Sequence, residues 1–305
     1  MFKLYKKYYD KKSNHFITEI LGIKFKKKRP IKEELAILHE EIDSLYNLIN
    51  LIAKPTDVKV VSKTLRDSQN KCLGVLIRVD KICKENNLPY WLDFGTLLGA
   101  IRHKGFIPWD DDIDICMLRD DYKKILPLLE KEFEGDSNWF VRGHIDGYHN
   151  FQTRIRNKEI NLGLDIFPVD TYNAEHLTDS LRKKIDTSVI EAQNIFAKKQ
   201  KIFNLTEKEI QEARGKILKV QRQVGLIPAE NKIEKPILFY GIDYPHKWDY
   251  RTFEYNRIFP LKTIEFEGIQ FPCPNEYMEH IKAIYGNINI FPKKIIIDHH
   301  FSWDD

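Results

Sequence analysis

Four aspartates, Asp110, Asp111, Asp112 and Asp114, fall within five positions of this 305-residue chain, in the stretch GTLLGAIRHKGFIPWDDDIDI from Gly95 to Ile115. Like charges that close together repel, so any fold that holds them must supply an offset. The following pattern, Asp112-Ile113-Asp114-Ile115, alternates polar and apolar. That is the period of a half-buried strand, with Asp112 and Asp114 on one face and the isoleucines turned into a core. By the same parity Asp110 approaches the acidic face and Asp111 points elsewhere. Carboxylates converging on one spot call for a cation, and hard oxygen ligands at this separation suit Mg²⁺ or Mn²⁺. Magnesium keeps open positions for phosphate oxygens, which points to a nucleotide or diphosphate substrate.

Other readings of the acidic run fit less well. An EF-hand loop starting at Asp110 needs Gly at its sixth position and Glu at its twelfth, where this chain has Ile115 and Asp121. The pattern also fits the DDxxD of prenyl-transferring enzymes, but that motif rides on helices, and the isoleucine alternation favours a strand. A plain solvated turn after Pro108 does not explain Trp109 before the acids or the isoleucines after them.

Upstream lies Gly95-Thr96 at a strand-to-helix corner. A glycine there lets backbone approach a phosphate, and the exposed amides of a helix start favour anions. Thr96 is suited to cap that helix or to offer its hydroxyl to phosphate. Gly-Thr followed by Asp-x-Asp resembles the polymerase-beta-like arrangement, which implies a third carboxylate on a later apolar strand. In LGLDIFPVD, Asp165 lies between Leu164 and Ile166, and Asp170 lies beyond Pro168; Asp165 is preferred because it sits within the strand. Gly-Thr, then Asp-x-Asp, then a later carboxylate is similar to the arrangement of polymerase-beta-like nucleotidyltransferases. In that arrangement the third acid can serve as base for an attacking hydroxyl.

Composition adds boundaries. The chain is 42% apolar and 31% charged, which suits a globular protein with an ordinary core. Cys72, Cys83, Cys116 and Cys273 show no CxxC spacing, so they read as reduced thiols rather than a zinc site or disulfide framework. No apolar run reaches the ~20 residues of a membrane span. The net charge of +4 is unevenly spread: residues 1–29 carry ten Lys/Arg against two acids, and the rest carries 39 against 43. A mildly acidic body argues against a nucleic-acid partner.

The chain divides into three parts by pattern. Residues 1–30 are basic and aromatic, and a helix there would put Phe2, Tyr5 and Tyr9 on one face. The segment reads as a membrane-surface anchor, each basic residue contributing about 1 kcal/mol near an anionic leaflet; a solvated tail is the alternative. Residues 31–55 form a heptad helix with Ile31, Leu35, Leu38, Ile42, Leu45, Ile49 and Ile52 spaced alternately by four and three. That seam covers about three heptads and predicts a coiled-coil homodimer through residues 31–52, or packing on the remaining domain. Residues 60–305 read as mixed α/β, with a polar helical region over about 175–225 and short elements from 230 onward.

At this point a family resemblance is visible. YWLDFGTLLGAIRHKGFIPWDDDIDICMLRDDY is similar to the central motif of the LicD/fukutin family, and LDIFPVD, FPLKTIEFEGIQFPCPNEYMEHIKAIYG and PKKIIIDHH also resemble it. The resemblance covers about 60–305. It implies a nucleotidyltransferase-like α/β (α+β) fold, a mixed sheet flanked by helices. It also implies transfer of a phosphorylated alcohol from a CDP-activated donor to a sugar hydroxyl, releasing CMP. CDP-choline is the first-choice donor, with ribitol, glycerol and ethanolamine phosphates as other cargoes. The metal set carries over to Asp110, Asp112 and Asp114, and the later strand acid to Asp165. Candidate basic groups for the phosphates are Arg102, His103 and Lys104, and Arg154 and Arg156 on TRIR, with Arg102 strongest. His299 and His300 occupy a family-like C-terminal position.

A choline pocket would need aromatic walls; Tyr90, Trp91, Phe94, Trp109, Tyr148 and Phe151 are available. The expected acceptor is a cell-surface glycan or lipid-linked oligosaccharide. The basic segment would hold a cytoplasmic enzyme on the inner face of the membrane. Two other functions compete: an NTP-using nucleotidyltransferase, and a non-catalytic scaffold that works through its coiled coil. The complete acidic set disfavours the scaffold.

Overall fold

The computed structural model describes residues 5–10, 15–20, 23–28, 31–59, 62–145, 151–159, 162–173, 236–240 and 252–292, with a few positions between 178 and 187. The chain divides into two compact units.

The first unit comprises residues 1–57 with 290–294. It opens with three strands, β1 (Tyr5–Asp10), β2 (His15–Ile20) and β3 (Ile23–Lys28), paired antiparallel in order. The helical spacing read for Phe2, Tyr5 and Tyr9 therefore does not apply, because the backbone over Tyr5–Asp10 is extended and ladder-bonded. Helix α1 (Ile31–Ile52) follows. Within this unit the Tyr46 hydroxyl donates to the Phe291 carbonyl at 2.9 Å, and the Phe291 N–H donates to Asn50 Oδ1 at 2.7 Å. The seam residues Leu35, Leu38, Ile42, Leu45, Ile49 and Ile52 are all exposed.

The second unit is built on a seven-stranded mixed sheet. Its first helix, α2 (Lys63–Glu85), is capped by the Ser62 hydroxyl, which accepts from the Leu65 N–H. Leu65, Cys72, Leu76, Ile82 and Cys83 form part of its buried face, as their spacing predicts. Strand β4 (Trp91–Leu92) leads into α3 (Phe94–His103), then β5 (Ile113–Leu118) and α4 (Arg119–Glu132). Strands β6 (Trp139–Ile145), β7 (Phe151–Asn157) and β8 (Gly163–Asn173) come next, and β9 (Pro236–Tyr240) and β10 (Thr252–Glu254) complete the sheet. A one-turn helix α5 (Tyr255–Ile258), a hairpin of β11 (Lys262–Phe266) and β12 (Ile269–Cys273), and helix α6 (Tyr277–Tyr285) end the described chain. The polar helical region expected over 175–225 lies largely outside the described residues.

Strand β8 organises the sheet. It runs parallel to β5, with Asp114 opposite Asp165, while its other edge pairs antiparallel first with β7 and then with β9. Ile113, Ile115, Ile155, Leu164 and Ile166 are fully buried, joined by Leu76 and Val79 from α2. The alternation thus holds: isoleucines enter the core and the aspartates take the opposite face. At Gly163 an added Cβ would lie 1.8 Å from the Ile155 carbonyl oxygen, so only glycine permits β7 and β8 to approach there.

Candidate functional site

Asp93 ends β4, and its carboxylate caps α3 by accepting the Phe94 N–H at 2.8 Å. The cap expected of Thr96 is therefore Asp93's, and Gly95 falls in the first helical turn. An added Cβ on Gly95 would stand 2.7 Å from Asp110 Oδ2 and 3.9 Å from Asp114 Oδ2. The glycine lets two carboxylates close on the positive end of the helix, which offsets part of their repulsion. Thr96 is buried, and its Oγ1 accepts the Asp114 N–H at 2.8 Å. Its oxygen thus fixes the acidic strand.

Two overlapping carboxylate groups result. Oxygens of Asp112, Asp114 and Asp165 lie within 4.8 Å of one another, and so do those of Asp110, Asp111 and Asp112. Strand parity predicted that Asp111 points away, but β5 begins only at Ile113, so Asp110–Asp112 form a turn in which parity does not operate. That turn is pinned from α2: the fully buried Gln69 amide donates to the Asp110 carbonyl at 2.8 Å and the Ile107 carbonyl at 3.3 Å.

The electrostatics fit a cation. Although Asp110, Asp112 and Asp114 are partly open to solvent, their carboxyls sit in dense surroundings. Burial and then the Asp111 charge push the Asp110 carboxyl up to about 7, against the pull of Arg102. Burial, then Asp114 and Asp110, drive Asp112 well above its ordinary range; burial, then Asp165 and Asp110, do the same for Asp114. Acids held this way are destabilised as anions unless positive charge joins them.

A pH dependence follows. The folded protein keeps the Asp110 proton up to about 7, whereas an ordinary aspartate loses it near 3.8. That contribution to stability is present below 3.8 and lost as pH rises through 7. Asp93 and Glu267 shift downward, so what they contribute is lost only as pH falls through the acid range. In EDTA the melting temperature should therefore fall between pH 5 and 8, and saturating Mg²⁺ should flatten that fall, because metal competes with protons for the same oxygens. Identical slopes with and without Mg²⁺ in thermal unfolding would contradict it.

The basic candidates separate by position. Arg154 and Arg156 share a face of β7, as read from TRIR, and both pair with Asp165; Arg154 Nε lies 3.2 Å from Oδ2. Arg102 is partly buried, donates from Nη1 to the Ile288 carbonyl at 3.2 Å, and lies within electrostatic reach of Asp110. Burial, then the Arg102 charge, push the His103 imidazole down to about 4, so at neutral pH it carries no positive charge for a phosphate. Lys104 is exposed at the left-handed C-cap of α3, with φ 56°. Asp170 belongs elsewhere, in a buried ion pair with Arg119. His299 and His300 lie outside the described residues.

Asp93 lies within YWLDFGTLLGAIRHKG, and His280 and Tyr285 within NEYMEHIKAIYG, so the family resemblance of those segments is the available signal for them. Tyr285 is 45% exposed, yet its phenol lies within electrostatic reach of Asp114, Asp110, Asp93 and Asp112. Of the aromatic candidates, Tyr90 and Trp91 are buried and bonded to Asp80 and Asp93. Phe94 and Trp109 are partly exposed. Tyr148 and the Phe151 side chain lie outside the described residues. Among the described residues no helix is long and apolar enough to cross a membrane.

Residues 87–214 match the LicD/FKTN/FKRP nucleotidyltransferase domain. The chain is 31% identical to the lipopolysaccharide cholinephosphotransferase LicD of Haemophilus influenzae over an alignment of 254 residues, covering 75% of this chain and 92% of that protein. It is 37% identical to the human ribitol 5-phosphate transferase FKRP over 59 residues, 19% of this chain and 10% of the relative. The yeast mannosyltransferase regulator 4 (Saccharomyces cerevisiae) is 26% identical over 141 residues, 40% of this chain and 12% of the relative.

Proposed function

Since the chain belongs to the LicD/FKTN/FKRP family and is a phosphotransferase, we propose that it moves a phosphorylated alcohol from a CDP-activated donor to a sugar hydroxyl of a cell-surface glycan, releasing CMP. Phosphocholine is the first-choice cargo, because the relative that spans most of the chain is a cholinephosphotransferase. The observation that carries the reading is the convergence of Asp112, Asp114 and Asp165 beside the first turn of α3.

Asp110, Asp112 and Asp114 would hold Mg²⁺ or Mn²⁺, with Asp165 beside them, and the ion would neutralise charge on diphosphate oxygens. Arg102, within electrostatic reach of Asp110, would stabilise the negative charge that gathers on the departing CMP phosphate. Asp165, steered by Arg154 and Arg156, takes the proton of the attacking sugar hydroxyl. The sugar oxygen bonds to the alcohol-bearing phosphorus as the bond to the CMP oxygen breaks, and the electron pair leaves with CMP. Of the aromatic candidates for a quaternary ammonium, Phe94 and Trp109 are the ones left partly exposed among the described residues.

Thermal unfolding with Mg²⁺ and CDP-choline, CDP-ribitol, CDP-glycerol or CTP tests the donor. A ligand at 100 times its dissociation constant adds about 2.7 kcal/mol. A metal-dependent shift with one CDP-alcohol is the expected result. A shift with CTP alone would favour the NTP-using reading.

For partners, we read the exposed seam of α1 as the face of a second copy, since its residues repeat with the 3.5-residue period of two-stranded coiled coils. The ten basic residues of 1–29 suit the anionic inner face of a membrane, where lipid-linked acceptors would be concentrated. Removing residues 1–29 should abolish sedimentation with anionic vesicles, and Leu38→Glu should halve the mass in sedimentation equilibrium. Unchanged partition or unchanged mass would remove the corresponding claim.

A further inference from the structure

We propose that Asp93 and His280 are a positioning pair for the acidic site; this rests on the metal-and-nucleotide reading above. Asp93 is fully buried. Its oxygens accept from the Phe94 N–H at 2.8 Å, the Trp91 indole N–H at 2.9 Å, the Tyr240 hydroxyl at 2.7 Å and His280 Nε2 at 3.0 Å. Against its burial, the charge of His280 and hydrogen bonds from His280 and Tyr240 hold the Asp93 carboxyl below its ordinary range. An ionised carboxylate only accepts, so Nε2 of His280 carries the hydrogen in this contact. His280 is itself buried and also lies 2.8 Å from the Tyr240 oxygen.

The pair acts through the corner between β4 and α3. The Asp93 N–H donates to the Asp114 carbonyl at 3.2 Å, and Thr96 Oγ1 accepts the Asp114 N–H at 2.8 Å. Both backbone polar groups of Asp114 are thus held by this corner. Phe94, between them, has φ 45°, a conformation a bulky residue keeps only where its surroundings enforce it. The Asp93 carboxylate is what enforces it, by accepting the Phe94 N–H. Gly95 then stands under Asp110. His280 reaches this corner from α6, 187 positions along the chain, and supplies the counter-group that a buried carboxylate requires. Without it the corner relaxes, and Asp114 and Asp110 lose their fixed relation to Asp112 and Asp165. Neither member of the pair is required to touch metal or substrate.

The test measures Mn²⁺ binding to the full-length protein by electron paramagnetic resonance, beside melting temperature and steady-state kinetics with CDP-choline. His280→Ala should weaken Mn²⁺ binding at least ten-fold and lower kcat more than it raises donor KM. His280→Gln, whose amide can donate to Asp93, should recover at least part of that affinity. Ile281→Ala, a fully buried neighbour on the same helix, should lower the melting temperature yet leave the Mn²⁺ constant within two-fold. Equal weakening in the His280 and Ile281 variants would make the pair merely structural and overturn the inference. Unchanged binding in His280→Ala would overturn it alone, whereas wild-type protein that binds no Mn²⁺ would overturn the parent reading with it.

Discussion

Replacing Asp114 with asparagine should lower turnover at saturating donor by at least about a thousand-fold, a loss of about 4 kcal/mol of transition-state stabilisation. The substitution keeps the side-chain shape and removes one charge from the group formed with Asp112 and Asp165. In phosphoryl transfer the protein contributes mainly positioning and electrostatic stabilisation, so the charge at this point is what the reaction uses. The fold should survive. Burial and neighbouring carboxylates already disfavour the Asp114 anion, so Asp114→Asn should melt no lower than wild type in EDTA. Rates and melting curves on one preparation separate the cases. Activity within ten-fold of wild type would remove Asp114 from the site, and a collapsed melting temperature would make the residue structural.

Asp170→Asn should behave in the opposite way, costing about 3–5 kcal/mol of stability, the range for breaking a buried pair at one end. Asp170 and Arg119 are both buried, and the contact is two-pronged: Nε to Oδ1 at 2.9 Å and Nη2 to Oδ2 at 2.7 Å. With the carboxylate gone, the buried guanidinium that opens α4 loses its two-pronged acceptor. Urea unfolding reads the loss directly. Replacing both partners, Arg119→Met with Asp170→Leu, should recover most of it, since apolar side chains of similar volume carry no desolvation penalty. A loss under about 1 kcal/mol in the single variant would show that the pair does not hold α4 to β8.

These two aspartates also mark what could be read from sequence. Asp165 and Asp170 were the two choices for the third carboxylate. Being five positions apart on β8, they lie on opposite faces of the strand, which strand parity alone implies. Which face meets the acidic run needed the register of Asp114 against Asp165 across a parallel pair, and no local pattern carries that register. The buried isoleucines and the acidic face were legible because they follow the period of a strand. The Asp110–Asp112 turn was not, since its shape depends on Gln69 from α2.

Strand parity puts Arg154 and Arg156 on one face, but their partner Asp165 appears only once β7 pairs with β8. By residue type His103 is a candidate cation, but burial and the Arg102 charge push it down to about 4. The meeting of Asp93 with Tyr240 and His280 is illegible for a related reason. Contacts closed over 147 or 187 positions leave no periodicity behind. In the N-terminal segment the aromatic spacing of three and four matches a helix face, but hydrogen bonding between neighbouring segments makes it a three-stranded sheet.

The proposed reaction breaks a CDP-alcohol at the alcohol-bearing phosphorus and hands that phosphorus to a glycan. Product analysis tests it most directly. The full-length protein is incubated with Mg²⁺, CDP-choline labelled in the choline and a lipid-linked glycan fraction, and nucleotide and glycan are separated and counted. The account predicts CMP and labelled glycan in equal amounts, with both absent for Asp114→Asn. No CMP and no label in the glycan, with pyrophosphate released in a parallel incubation that holds CTP in place of CDP-choline, would contradict it.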